Sequence, residues 1–442
     1  MSSPNPRAFE VTHKSVLAIA WPTTLAYMST PIIGLVDTGV VGRLGEASLL
    51  GGLAIGAVIF SIVFSTFYFI RASTTGLVAQ ALGAGDEEMQ RTVLIRSLLI
   101  ALFFGLLLLA LYPIILSLGL WVMGVPPAVE QATSTYFTIR ILSAPLALIN
   151  YSVLGWMLGL GRAGLGLLLQ TVLNGINVVL SILFGLTWGL GIEGVAWATV
   201  ISEAVAAVLG LFIAWRIYAG YQPIQWPSIF NRQSLMKLLG VNRDIMIRSF
   251  SLQFAFAFFV AQGARFGELT LAANAVLMNF FLISGYFLDG FATAAEQLAG
   301  KAVGAKYRPA FEKVVKLTML WGFVLAGVTT VAFFLLGPWL IDTLTTVETV
   351  RVEARIYLFW AAITAVMGVV AFQMDGVFIG ATWSADMRNM MLLSLVIYLV
   401  VWWVAVPMLG NHGLWLALEV FLAVRGVTLF WRLRGKVEQT FS

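Results

Sequence analysis

Long apolar runs separated by short polar turns recur along the whole chain. Their boundaries fall at roughly 16–41, 49–71, 94–120, 132–158, 165–187, 192–215, 238–262, 270–294, 314–340, 354–380, 389–409 and 413–431. A helix of about 20 apolar residues crosses the ~30 Å hydrocarbon core of a bilayer, and each run meets that length. Membrane strands would show segments of ~10 residues with alternating polarity, and the pattern has none. The expectation is an all-α polytopic membrane protein with twelve transmembrane helices. A polar stretch, Met1 to Lys14, precedes the first run, which continues past the length of a signal-peptide core. No cleaved leader is therefore expected.

The pattern also repeats. Thr75-Gly-Leu-Val-Ala-Gln-Ala-Leu-Gly83 answers Glu296-Gln-Leu-Ala-Gly-Lys-Ala-Val-Gly304 at an offset of 221, which also pairs Tyr136 with Tyr357, Gly155 with Gly376 and Gly159 with Gly380. Arg43-Leu-Gly-Glu46 pairs with Arg265-Phe-Gly-Glu268, and Gly194 with Gly413, at nearly the same spacing. Two six-helix halves in parallel topology follow, residues 1–216 and 235–442, joined by a polar, proline-containing linker at 217–234. Secondary transporters are commonly built from such repeats, with the substrate held between them.

Composition narrows the class. The chain is 60% hydrophobic and 11% charged, against about 25% charged in soluble domains. Without cysteine it has no disulfide or thiolate chemistry. Two histidines, His13 and His412, are too few for a histidine relay or metal cluster. No metal or cofactor is expected, and no nucleic-acid partner. The net charge of +5 reflects orientation. Even-numbered loops and the tails carry Arg71, Arg91, Arg162, Arg216, Lys301, Arg388 and most other cations, whereas odd loops hold Arg43, Arg265, Arg351 and Arg355. By the positive-inside rule both termini face the cytoplasm across the inner (plasma) membrane.

No phosphate-cradling Gly-x-x-x-x-Gly-Lys-Ser/Thr loop occurs, so ATP hydrolysis is not expected. Gly159-Leu-Gly-Arg-Ala-Gly164 fits a dinucleotide fingerprint, yet it follows an apolar helix and not a strand. An ion gradient is the remaining energy source. The chief candidate for using it is Asp37, alone in the run Pro31-Ile-Ile-Gly-Leu-Val-Asp37. A carboxylate inside a span costs at least ~2.5 kcal/mol and marks a functional site. Burial disfavours the ionised form of a carboxyl group, which suits it to proton exchange. The bland alternative, an ion pair to Arg43, has poor spacing: six residues on, off the i+3 and i+4 face.

Pro22 and Pro31 in the same helix each remove a backbone hydrogen bond and together suggest a hinge. In the fifth run Asn174, Asn177 and Ser181 share one helical face, and Thr199 lies in the sixth. Singly these would be glue between helices, at ~0.6 kcal/mol each. Together, in the half that holds Asp37, they read with Tyr136 as a proton-linked cavity. In the second half Asp289 and Asp375 are secondary candidates for ion or substrate binding, whereas Glu296 and Lys301 read as interfacial or paired. The position equivalent to Asp37 is Phe258 or Phe259, so the halves differ chemically. Abundant Met and Phe would suit an adaptable apolar cavity.

Gly34-Leu-Val-Asp37-Thr, Ser73-Thr-Thr-Gly-Leu-Val-Ala-Gln80, Gly194-Val-Ala-Trp-Ala-Thr199 and Asp375-Gly-Val-Phe-Ile-Gly380 together resemble the multidrug and toxic compound extrusion (MATE) transporters, and within them the DinF subfamily. The resemblance covers essentially the whole chain. It implies two pseudo-symmetric lobes flanking a central cleft, and monomeric, cation-coupled efflux of amphiphilic, often cationic drug-like compounds. It also implies that Asp37 is the proton-linked acid, with its helix bending on protonation. One departure is Ser181, where many relatives have an aspartate. Losing that charge favours protons over sodium.

The expected activity is thus proton-coupled multidrug antiport. The alternatives are an exporter of a specific organic anion or metabolite, and a lipid-linked oligosaccharide flippase. The flippase would line its cleft with more cations than Arg140, Arg243 and Arg248. A channel would need a filter that two unlike halves do not readily form.

Overall fold

The computed structural model describes residues 8–220 and 226–442; residues 221–225 of the expected linker lie outside them. Among the described residues, twelve helices are long and apolar enough to cross a membrane: α1 (His13–Gly42), α2 (Ala47–Ala84), α3 (Glu87–Met123), α4 (Pro127–Gly159), α5 (Ala163–Thr187), α6 (Gly191–Ile217), α7 (Arg232–Ala264), α8 (Glu268–Gly304), α9 (Arg308–Leu344), α10 (Glu348–Gly380), α11 (Ser384–Leu409) and α12 (Asn411–Phe441). Each matches one apolar run, in order, and the described residues contain no strand.

Several helices outlast their apolar runs. The run expected to end at 71 breaks at Phe67 and continues as helix from Tyr68 to Ala84. Its polar residues Arg71, Ser73, Thr74 and Thr75 are all buried. Thr74 Oγ1 lies 2.7 Å from both the Ile70 carbonyl and Ser97 Oγ, and Thr75 Oγ1 donates to the Arg71 carbonyl. Polarity here marks a face turned into protein, where it is satisfied, and not the end of a helix. α8 likewise runs ten residues past the expected end at 294, and Glu296, expected to be interfacial or paired, is buried within it.

The described residues group into two compact units. One collects the chain up to Thr24, Ala79–Gly85 and Leu238–Ser442; the other collects Leu25–Val78 and Asp86–Lys237. Neither unit is contiguous, because α1 divides after Thr24 and α2 after Val78.

The sequence repeat has a packing cause. In one unit a Cβ on Gly155 would lie 2.5 Å from the Arg71 carbonyl oxygen, and one on Gly159 2.8 Å from that of Thr75. In the other unit a Cβ on Gly376 would lie 2.1 Å from the Ala292 carbonyl oxygen and one on Gly380 2.0 Å from that of Glu296. Only glycine permits such close approach of two helix backbones. The offset of 221 thus preserves one glycine-ladder contact in both halves.

In the unit that holds Leu238–Ser442, α10 and α12 run parallel in a constant register. The Tyr357 and His412 rings lie 4.7 Å apart, Thr364 bonds to Glu419, and a Cβ on Gly426 would sit 2.7 Å from the Ala371 nitrogen. Steps of seven residues on each helix make this a coiled-coil-like seam.

Candidate functional site

Asp37 is 5% exposed although most of its neighbours on α1 are not buried. Two contacts with α5 enclose it. Ser181 Oγ donates a 2.7 Å hydrogen bond to Asp37 Oδ1. Three residues further along α1, Val40 packs where a Cβ on Gly185 would be, 2.4 Å away. Gly185 sits in a π turn, Leu183–Thr187, that ends α5. Such turns rephase a helix and recur at functional sites; no spacing rule in the sequence announces one.

The polar face of α5 is shared among three helices. Gln170 Nε2 donates to Asn174 Oδ1 at 3.0 Å, and Asn174 Nδ2 donates to Ser29 Oγ of α1 at 2.6 Å. Asn177 Nδ2 donates to Thr199 Oγ1 of α6 at 3.0 Å, while its Oδ1 is buried without a hydrogen-bond partner. The pairs Ser29–Asn174 and Asp37–Ser181 advance together along the chain, so α1 and α5 run parallel. α6 comes close because a Cβ on Gly194 would lie 2.7 Å from the Phe184 carbonyl carbon. The three expected α5 residues thus make three separate contacts: Ser181 with Asp37, Asn177 with Thr199, and Asn174 with Ser29. Ser29 and Gln170 were not anticipated; Ser29 lies eight residues before Asp37 and is unremarkable without the fold.

No arginine, lysine or histidine nitrogen lies within 4 Å of Asp37 among the described residues, and Arg43 is exposed. The cation whose field reaches Asp37 is Arg140 of α4. Its guanidinium lies 4.5 Å over the Phe60 ring and donates to Tyr136 Oη. Tyr136 is buried in an apolar cluster with Val40, Val41 and Val195, and makes no hydrogen bond to Asp37. Pro22 is half-buried and Pro31 exposed, in a helix that is continuous through both.

In the other unit Asp375 is buried, accepts from Arg248 and lies 3.5 Å from Arg425. Asp289 is half-buried, one of the charges felt by Arg425.

A single family model, MatE, matches the chain twice, over residues 22–183 and again over 245–404. The chain belongs to the MatE family. DNA damage-inducible protein F of Escherichia coli (strain K12) is 37% identical over 423 residues, covering 95% of this chain and 92% of that protein, which places the chain with the DinF subfamily. Probable multidrug resistance protein NorM of Caulobacter vibrioides is 25% identical over 450 residues, covering 96% and 93%. Among solved structures, a MOP superfamily transporter from Pyrococcus furiosus superposes with TM-score 0.89 at 19% identity over 97% of each chain. A MATE structure in the straight conformation gives 0.88 at 20% identity, covering 97% and 96%. At those identities they establish the fold. This MatE chain is accordingly a multi-pass membrane transporter, and its buried carboxylate lies within the first family match.

Proposed function

We propose that this transporter is a proton-coupled antiporter of the inner membrane, with both termini cytoplasmic, that exports amphiphilic and often cationic compounds as a monomer. Asp37 carries the reading: a carboxylate buried in α1 with a hydroxyl donor at 2.7 Å and, among the described residues, no basic nitrogen in ion-pair range. A permanently charged group so placed would be costly. A hydroxyl can donate to the ionised form and accept from the protonated one, so Ser181 serves both states. Multidrug resistance in the name of the NorM relative supports the substrate class.

In this reading, protonation of Asp37 from outside removes the charge held by α5. The α1–α5–α6 polar contacts rearrange, α1 bends about Pro22 and Pro31, and substrate leaves outward. The proton then departs to the cytoplasm. Ser181 leaves one carboxylate where two would better hold sodium.

The test is dye efflux in everted vesicles driven by a proton gradient without sodium. Wild type exports dye, whereas Asp37→Asn is expressed, binds dye and does not export it. Export by Asp37→Asn at the wild-type rate overturns the reading.

A further inference from the structure

The unit that lacks Asp37 holds its own isolated carboxylate. Glu419, in the run Leu414-Trp-Leu-Ala-Leu-Glu419-Val-Phe-Leu, is 2% exposed. Its Oε2 has no hydrogen-bond partner. No basic nitrogen lies within 4 Å of it among the described residues. Among the described residues the one side chain bonded to it is Thr364 of α10, also fully buried, whose Oγ1 lies 2.6 Å from Glu419 Oε1.

Thr364 Oγ1 also lies 2.8 Å from the Trp360 carbonyl oxygen. A hydroxyl has one hydrogen and two lone pairs. With one hydrogen it can make only one near-linear bond at these lengths. Both short contacts are satisfied together only when Glu419 carries a proton: the carboxyl donates to Thr364, and Thr364 donates to Trp360. On deprotonation the Thr364 hydrogen must turn to Glu419 and leave the Trp360 carbonyl.

We propose that Glu419 is a second proton-binding site, with Thr364 as the group that reads its charge state. Loss of the proton converts the carboxyl to a carboxylate, and the Thr364 hydroxyl rotates from the Trp360 oxygen to Glu419 Oε1. The surroundings favour this exchange over a fixed ion pair. On α12, His412 and Arg425 lie seven and six residues away, about 10 Å and 9 Å of helix rise. Arg425 is engaged with Asp375, which also takes Arg248 of α7. Asp289 of α8 belongs to that same charge group. Tyr357 of α10 lies one heptad earlier, against His412. Tyr398 of α11 directs its hydroxyl to the Ala255 carbonyl, and Asp386 of α11 is held by Arg432 and Lys436.

The seam offers a readout. Trp360 also donates from Nε1 to His412 Nδ1 at 3.0 Å, so its carbonyl and its indole nitrogen both touch the α10–α12 contact. Proton binding at Glu419 stands independently of Asp37; only its use in transport rests on the antiport reading.

The experiment is pH-difference infrared spectroscopy of the full-length protein in lipid nanodiscs, comparing wild type, Glu419→Gln, Thr364→Val and Asp37→Asn. A protonated-carboxyl component present in wild type and Asp37→Asn is lost in Glu419→Gln and displaced in frequency in Thr364→Val. An unchanged difference spectrum in Glu419→Gln, or an undisplaced component in Thr364→Val, overturns the proposal. Should Glu419→Gln not fold, Thr364→Val decides, since it retains the carboxyl. An Asp37→Asn spectrum identical to wild type counts against Asp37 alone.

Discussion

Ser181 Oγ reaches across 144 residues of chain to donate to Asp37 Oδ1 at 2.7 Å, in a site where Ser181 is fully buried. Ser181→Ala removes that donor and nothing else of size. A hydrogen bond to a charged group contributes about 1.5–3 kcal/mol, and one pH unit corresponds to about 1.4 kcal/mol. Because the bond to the carboxylate is stronger than the one Ser181 makes to the protonated acid, its loss should raise the pH midpoint of efflux, by at most about one to two pH units, with export retained. Ser181→Thr should stay near wild type. An unmoved midpoint in Ser181→Ala would show that the bond does not govern the acid.

The approach of α6 to α5 depends on Gly194. Gly194→Ala places a methyl 2.7 Å from the Phe184 carbonyl carbon, and backbone cannot swing aside. Overpacking of this kind costs about 1–3 kcal/mol. Gly175 on α5 has nothing within 4 Å of its Cβ position, so Gly175→Ala should gain roughly 0.5–1 kcal/mol from helix propensity. Thermal unfolding in detergent should show opposite signs for the two variants.

Asp375 is buried against Arg248 and Arg425, whereas Asp342 pairs with Arg355 at 2.6 Å where both are over a third exposed. Removing one partner of a buried pair costs about 3–5 kcal/mol; a surface pair contributes about 0–1 kcal/mol. Asp375→Asn should lower the melting temperature much more than Asp342→Asn. Equal effects would remove the case for Asp375 as a stabilising counter-ion.

Pro22 and Pro31 fall on either side of the point, after Thr24, where α1 passes from one unit to the other. Replacing both with alanine restores two helical hydrogen bonds and stiffens the helix. Efflux by Pro22→Ala/Pro31→Ala should fall severalfold while dye binding persists. Undiminished efflux would sink the hinge.

The twelve helices were legible because a segment in hydrocarbon must satisfy its own backbone, so length and apolarity alone specify it. Asp37 was legible because a lone charge in such a segment is expensive, and the face of α5 because helical periodicity aligns Asn174, Asn177 and Ser181. Glu419 obeys the rule that marks Asp37 and was within reach of the same reasoning. Its significance was not, since Thr364 lies 55 residues away and meets it only through the α10–α12 register. Helix ends were misjudged at Arg71 and Glu296 because polarity in a sequence does not distinguish solvent from a protein interior, where both are buried. One-dimensional pattern thus determined element type, number and the costly residues, all of which depend on the solvent each segment meets. Partner choice depended on a few close backbone approaches, at Gly155, Gly194 and Gly376, and on one π turn. Those are properties of packed surfaces, and only the tertiary structure decided them.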